Sequence, residues 1–398
     1  MKKSVRITLY VLSILTIAGM ILLVGFSRAR QQSAPTGTQQ GSVNEPVPTE
    51  ETLEAASEIS EETVTEVTEN VAAAEQEEMQ ASETEETAKD TTIVFAGDVL
   101  LAHRSFEANY EAEGITGVVG EELLKELQDA DILMVNNEFA FSTQGTPEEG
   151  KQYTFRADPK YVSALQDMGV DIVTLANNHA LDYGKAALSD TFTTLDNAGI
   201  LYSGAGETVE RAEELQIIEC NGKKFGFLSA TRVVPNVNWK VEYSAPGLFS
   251  AYDYTRLVEL VKEAQSACDY LVVYMHWGIE RDAYPQDYQT LIAQQCFEAG
   301  ADLVVGAHSH CLQGIEYIDG KPVFYSLGNF IFGYGIEQTA ALKVTVGADG
   351  EVTYQLLAAY AANGKTTLME KTAAENTFDY VEQISVNAKV DENGFVTE

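Results

Sequence analysis

The chain has 398 residues, 25 of them basic and 61 acidic, for a formal net charge of −36. A polyanion of this kind has no generic basic face to neutralise nucleic-acid phosphates, so no nucleic-acid partner is expected. An apolar content of 45% with 19 tyrosines excludes a wholly disordered chain, and 4 cysteines exclude a disulfide-dense scaffold.

In chain order, Lys2, Lys3 and Arg6 precede an uncharged, mostly apolar run from Ile7 to Phe26. Its 20 residues suffice for one helix to cross a ~30 Å hydrocarbon core. A cleaved signal peptide has a shorter apolar core, about 7–15 residues, and Ser27, Arg28, Ala29 and Arg30 form a poor cleavage site. Residues 1–30 therefore read as an uncleaved signal anchor, a transmembrane helix, with a cleaved signal peptide as the alternative. Either way the rest of the chain is expected outside the cytoplasm, as a single-pass protein of the cell membrane or as a secreted one. Residues 31–90 hold 16 acidic residues against one lysine and almost no aromatic residue. Their like charges repel and their apolar surface is too small to offset the ordering entropy, so they read as a disordered Glu/Thr-rich linker.

From Thr91 short apolar runs alternate with amphipathic segments, the pattern of an α/β fold. Five apolar runs end in polar donors. "TIVFAGDV" ends at Asp98, "DILMVNNE" at Asn136, Asn137 and Glu138, and "DIVTLANNH" at Asn177, Asn178 and His179. "YLVVYMHWG" ends at His276 and Trp277, and "DLVVGAHSH" at His308 and His310. Helical patterns lie between them at 120–130, 160–168, 185–198, 252–267 and 286–299. Strands joined by helices run parallel, so their carboxyl ends share one edge, where ligands bind in such sheets. One such residue is an ordinary turn residue; five independent strand ends carrying O or N donors point to a metal site. His308 and His310, one residue apart, would share a face in extended backbone and reach one centre. Carboxylate, amide and imidazole without thiolate suit one or two divalent ions, Mn²⁺, Zn²⁺ or Fe, and Glu138 is able to bridge two of them.

The segments "FAGDVLL", "NNEFAF", "LANNHALDYG", "MHWGIE", "GAHSH" and "YSLGNFIF", in this order and spacing, resemble the capsule-synthesis CapA family. That family is linked to poly-γ-glutamate and belongs to the calcineurin-like metallophosphoesterase superfamily. The resemblance covers about residues 92–335 and implies a metallophosphatase-like α/β/β/α sandwich over 91–372, followed by a C-terminal helix and tail over 373–398. It implies Asp98, Glu138, Asn178, His276, His308 and His310 as metal ligands, with Glu138 where a bridging Asp usually stands. His179 corresponds to the histidine that protonates a leaving group. The superfamily's histidine two residues after the first Asp is here Leu100, and His103 lies nearby out of register.

Around this set, Asp182 either orients His179 or caps the helix that follows. Trp277, Glu280, Asn137 and Asn329 are expected in the pocket or against the ligands, and Arg104, Arg156 and Arg232 are candidate anion clamps. No P-loop and no Gly-x-Ser-x-Gly elbow is present, and the pairing of Cys220, Cys268, Cys296 and Cys311 is open. Alternating strands after Gly335 are expected to complete a second sheet, and the end of the chain to be a short helix near 378–386 with a loose tail. Two functions follow. One is a metal-dependent, phosphoesterase-like hydrolase acting on a phosphoester or an anionic polymer. The other is a non-catalytic subunit that binds polymer, or the subunits of a membrane polymer synthase, through the same pocket.

Overall fold

A computed structural model describes residues 89–333 and 336–398. The expected anchor and most of the linker lie outside the described residues. Among the described residues no helix is long and apolar enough to cross a membrane.

The first half alternates β1 (Thr91–Val99), α1 (Arg104–Glu113), α2 (Glu121–Asp129), β2 (Ile132–Asn137), α3 (Val162–Met168), β3 (Ile172–Thr174), α4 (Lys185–Ala198) and β4 (Leu201–Ser203). There follow β5 (Gln216–Cys220), β6 (Lys223–Thr231), α5 (Thr255–Ala264), β7 (Tyr270–His276), α6 (Asp287–Ala299) and β8 (Leu303–Ala307). The chain continues through β9 (Ile315–Ile318), β10 (Lys321–Phe324), β11 (Asn329–Ile331), β12 (Gln338–Val346), β13 (Val352–Ala362) and β14 (Lys365–Leu368). It closes with α7 (Lys371–Gln383), β15 (Lys389–Val390) and β16 (Phe395–Thr397).

The helices sit where the apolar spacing puts them. Leu123, Leu124 and Leu127 line the buried face of α2. Gly169, Gly199 and Gly300, with φ of 87°, 70° and 118°, close α3, α4 and α6 in the left-handed region. Every residue of β2 and of β7 is buried, as in strands covered on both faces.

Two sheets result. The larger runs β15-β16-β13-β12-β1-β2-β3-β4, with β11 added to β1 and β14 to β13; the smaller runs β9-β10-β8-β7-β6-β5. Ile93, Phe95 and Met134 of the first meet Phe227, Val272 and Val305 of the second in one apolar core. A second core joins the other face of the larger sheet to α2, α3 and α4, and a third joins β7 and β8 to α5 and α6. The order is therefore helix, sheet, sheet, helix.

The strands after Gly335 do not build the second sheet, as expected from sequence. Instead β12 pairs antiparallel with β1 over Thr91–Phe95, extending the first sheet. The second sheet comes from the central segment, where Asn221 (φ 50°) and Gly222 (φ 80°) make the tight turn between β5 and β6. Nor is the end of the chain loose. α7 begins earlier than expected, and β15 and β16 pair with each other and, through β16, with β13. The cause is local: Asp391 Oδ1 accepts from the amides of Asn393 and Phe395, and Val390 and Val396 are buried.

Candidate metal centre

The carboxyl ends of β1, β2 and β3 in one sheet and of β7 and β8 in the other meet at one end of the sandwich. At Ala96–Asp98 the β1–β2 register shifts, an irregularity that re-aims side chains, and Asp98 is fully buried. Its Oδ1 accepts from Asn136 Nδ2 at 2.7 Å, and its Oδ2 lies 3.1 Å from His310 Nδ1. Asn136 Nδ2 is also 3.2 Å from His276 Nδ1, and Asn136 Oδ1 accepts from Asn177 Nδ2 at 3.0 Å. This amide network ties the two sheets together under the site. Asn137 is buried beside it and donates to the Phe139 carbonyl at 2.8 Å.

Glu138 is the centre of the arrangement. Both of its carboxylate oxygens are buried and make no hydrogen bond among the described residues. Its Oε1 lies 3.7 Å from His276 Nε2 and 3.9 Å from His310 Nε2. Glu138, His276 and His308 each present a donor atom within 4.8 Å of the others, and so do Asp98, Glu138 and His310. The two groups share Glu138. Asn178 Oδ1 joins the first, 2.7 Å from His276 Nε2. All six expected ligands thus converge.

One sequence argument is corrected. His308 and His310 are not in extended backbone. Their φ values of 94° and 55° are left-handed, a strained conformation for non-glycine residues, and the turn sends the two rings to different donor groups.

The electrostatics follow from burial. Desolvation and the neighbouring Asp98 charge push the Glu138 carboxyl well above its usual range. Asp98 is also raised by burial, but the hydrogen bond and charge of His310 outweigh this and hold it below its usual value. Burial drives His276 far down and His308 down to about 3, so both are neutral imidazoles at pH 7. His310, despite burial, is raised to about 10 by Glu138 and Asp98. Unpaired buried groups are costly unless something else satisfies them. The bare Glu138 oxygens and the unpartnered His308 Nδ1 fit a cation, and the oxygen and nitrogen donors fit Mn²⁺, Zn²⁺ or Fe.

His179 stands beside this set. Its Nδ1 is 2.6 Å from Asp182 Oδ2, which also accepts from the Phe155 amide at 2.7 Å. Asp182 is fully buried, and the N-cap of α4 is Gly184, so Asp182 orients the imidazole rather than capping the helix. Lys151 hydrogen-bonds Asp182 Oδ1 and the Asn178 carbonyl and lies 3.0 Å from His179 Nδ1; the Phe155 ring is 4.5 Å from the imidazole. Burial lowers the His179 pKa against the opposing pull of Asp182.

His179, Glu280, Asn329 and His310 line a cavity of about 80 Å³ with Tyr153, Phe155, Arg281, Phe332 and Ile336. A larger depression of about 830 Å³ lies by α7, between Asp379, Glu382 and Lys389, and contains none of the donors.

Trp277 does not line the cavity. It comes just after the end of β7 at His276, is fully buried, and donates its indole N–H to the Tyr325 carbonyl at 2.9 Å. His103 is no ligand: its Nδ1 accepts from the Ser105 amide and caps α1. Leu100 is fully buried in the core. Arg156 stacks on Tyr183 and Arg232 on Tyr252, and Arg104 is exposed on α1. None of the four cysteines is in a disulfide among the described residues. Sequence reasoning missed Lys151, Phe155 and Arg281, which come from loops without periodicity, and gave no role to Asn136 or Asn177.

Comparison with known proteins finds relatives over much of the described region. The chain is 34% identical over 190 residues to the PGA biosynthesis protein CapA of Bacillus subtilis, a match spanning 48% of this chain and 50% of that protein. It is 32% identical over 194 residues to the capsule biosynthesis protein CapA of Bacillus anthracis, spanning 48% of this chain and 46% of that protein. The chain thus spans about half the length of these curated relatives. A crystal structure of a hypothetical protein from Thermus thermophilus superposes with a TM-score of 0.43 at 16% identity, covering 67% of this chain and 99% of that one. Residues 92–334, more than half of the chain, match the family described as bacterial capsule synthesis protein PGA_cap, and the chain belongs to that family.

Proposed function

We propose that this is a membrane-anchored, extracytoplasmic protein of poly-γ-glutamate capsule biosynthesis carrying a metal-dependent, phosphoesterase-like hydrolase site of the calcineurin-like kind. The observation that carries the hydrolase reading is the sharing of Glu138 by two buried donor groups, with the His179–Asp182 pair beside them. The capsule role rests on the family match and on the names of the two Bacillus relatives. The anchor rests on the apolar run Ile7–Phe26.

Glu138, His276, His308 and Asn178 would hold one ion, and Asp98, Glu138 and His310 the other. A divalent pair in such a site supplies Lewis-acid activation of water and of the scissile ester. The protein's own groups supply the rest. His276 and His308 are neutral and ready to donate lone pairs. His179 Nδ1–H donates a hydrogen bond to Asp182; with a second proton taken up from solvent on Nε2, the imidazolium, stabilised by that carboxylate, would hand the Nε2 proton to the leaving oxygen. The Phe155 ring packs tilted against that imidazole, and the buried Asn136–Asn177 amides hold the strand ends in register.

A second reading is favoured by Leu100, which stands where the superfamily has a ligand: a non-catalytic subunit of a polymer synthesis or export complex, using the pocket to bind polymer or partner. Hydrolysis of an aryl phosphate by the purified chain with added Mn²⁺, lost on His308→Ala, is the outcome expected of the enzyme. Bound metal with no turnover on phosphoesters or on poly-γ-glutamate would select the subunit. Protease added to intact protoplasts should remove the domain; complete protection would overturn the extracytoplasmic placement.

A further inference from the structure

We propose that Asn329 is a metal ligand, its Oδ1 supplying the donor that the leucine at position 100 cannot. The proposal rests on the two-ion reading of the site.

Asn329 opens β11, which adds to the end of β1 in parallel with Asp98 paired to Asn329. The approach is close by construction. A Cβ on Gly97 would collide with the Gly328 carbonyl, and that carbonyl accepts from the Asp98 amide at 3.0 Å. Gly328 itself, at φ 76°, takes the left-handed turn that starts β11. The first-strand carboxylate therefore gains a neighbour from a different strand, while Leu100, bonded through its amide to the Ile331 carbonyl, turns into the core.

The donor spacing matches shared coordination. His310 Nδ1 lies 3.1 Å from Asp98 Oδ2 and 2.8 Å from Asn329 Oδ1. Adjacent donors on an octahedral ion with bonds of about 2.0–2.2 Å stand about 3 Å apart. Asn329 is 1% exposed, and its Nδ2 has no hydrogen-bond partner among the described residues. An asparagine kept for structure would have both ends of its amide satisfied. Here the oxygen alone is engaged, and it faces the donor set. Asp98, Glu138, His310 and Asn329 then give the second ion four protein ligands, with the missing histidine replaced by an amide from the neighbouring strand.

The test is metal binding by the full chain in detergent. Mn²⁺ titration should load two ions into the wild type. Asn329→Ala should keep the ion of Glu138, His276 and His308 and weaken the other by more than the about 10–100-fold that loss of an orienting partner costs. Asn329→Asp, which keeps an oxygen donor, should load two. In the Zn²⁺-loaded wild type, nitrogen NMR should find His310 metallated at Nδ1 and protonated at Nε2. Two ions at unchanged affinity in Asn329→Ala, or a proton on His310 Nδ1, would overturn the assignment of Asn329 alone. A wild-type chain that binds no ion would instead overturn the metal reading beneath it.

Discussion

His179 and Asp182 form a closed pair: Nδ1 of the imidazole is 2.6 Å from a carboxylate that is wholly buried and also held by Lys151 and the Phe155 amide. The imidazole is thereby oriented with its Nδ1 proton toward Asp182, and Nε2 is the atom on which the imidazolium would carry the proton it transfers. A proton donor matters most when the leaving group is basic. His179→Ala should therefore lower kcat about 10²–10⁴-fold on an alkyl phosphate and far less on p-nitrophenyl phosphate. Asp182→Asn should follow the same order with a smaller loss. Equal losses on both substrates would remove His179 from the proton-transfer role.

The bare carboxylate of Glu138 is a cost in the metal-free protein. Replacing it with an apolar side chain of similar volume, Glu138→Met, should raise the Tm of the chelated protein by several degrees. The expected range is about 1–3 kcal/mol for an unpaired buried group, at about 2–4 °C per kcal/mol. The same change should abolish tight binding at both sites. A lower Tm in chelator would show that Glu138 is satisfied in a way its surroundings do not indicate.

Because bound metal stabilises the folded state by linkage, His308→Ala and His310→Ala should each lose the ion that the histidine holds and lower the Tm of the metal-loaded protein part of the way toward that of wild type in chelator. His103→Ala should leave metal content unchanged, since His103 caps α1. Full occupancy in both ligand variants would sink the ligand set.

In chelated protein the fold holds the His308 pKa at about 3, against 6.5 for an ordinary histidine. Between these values the unfolded chain takes a proton that the fold refuses. The stability this histidine contributes is complete above pH ~6.5 and falls as pH drops toward 3. The Tm of chelated wild type should thus fall more steeply from pH 7.5 to 5 than that of His308→Asn. Parallel curves would show that His308 protonates normally in the fold.

Much of the site was legible because ligands in parallel α/β sheets cluster at strand ends. Asp98, Glu138, Asn178 and His276 were read from where apolar runs stop, and the structure brings them together. Helix positions were legible for the same kind of reason, since Leu123 and Leu127 mark a periodic apolar face. What the sequence concealed is non-local. β12 is an alternating strand whose sequence does not name its partner; in the fold it pairs with β1, and its Leu342 and Val344 join the core that holds Phe227. Lys151 sits in a loop and reaches Asp182 from far along the chain, and Trp277, expected in the loop that lines the pocket, is instead buried with its indole N–H on the Tyr325 carbonyl.

The central claim is that Glu138 is shared by two ions. Anomalous diffraction from crystals grown with Mn²⁺ tests it most directly. The account predicts two peaks about 3.5–4 Å apart on either side of the Glu138 carboxylate, one against His276 and His308 and the other against Asp98 and His310. A single peak away from Glu138, or none at saturating metal, would contradict it.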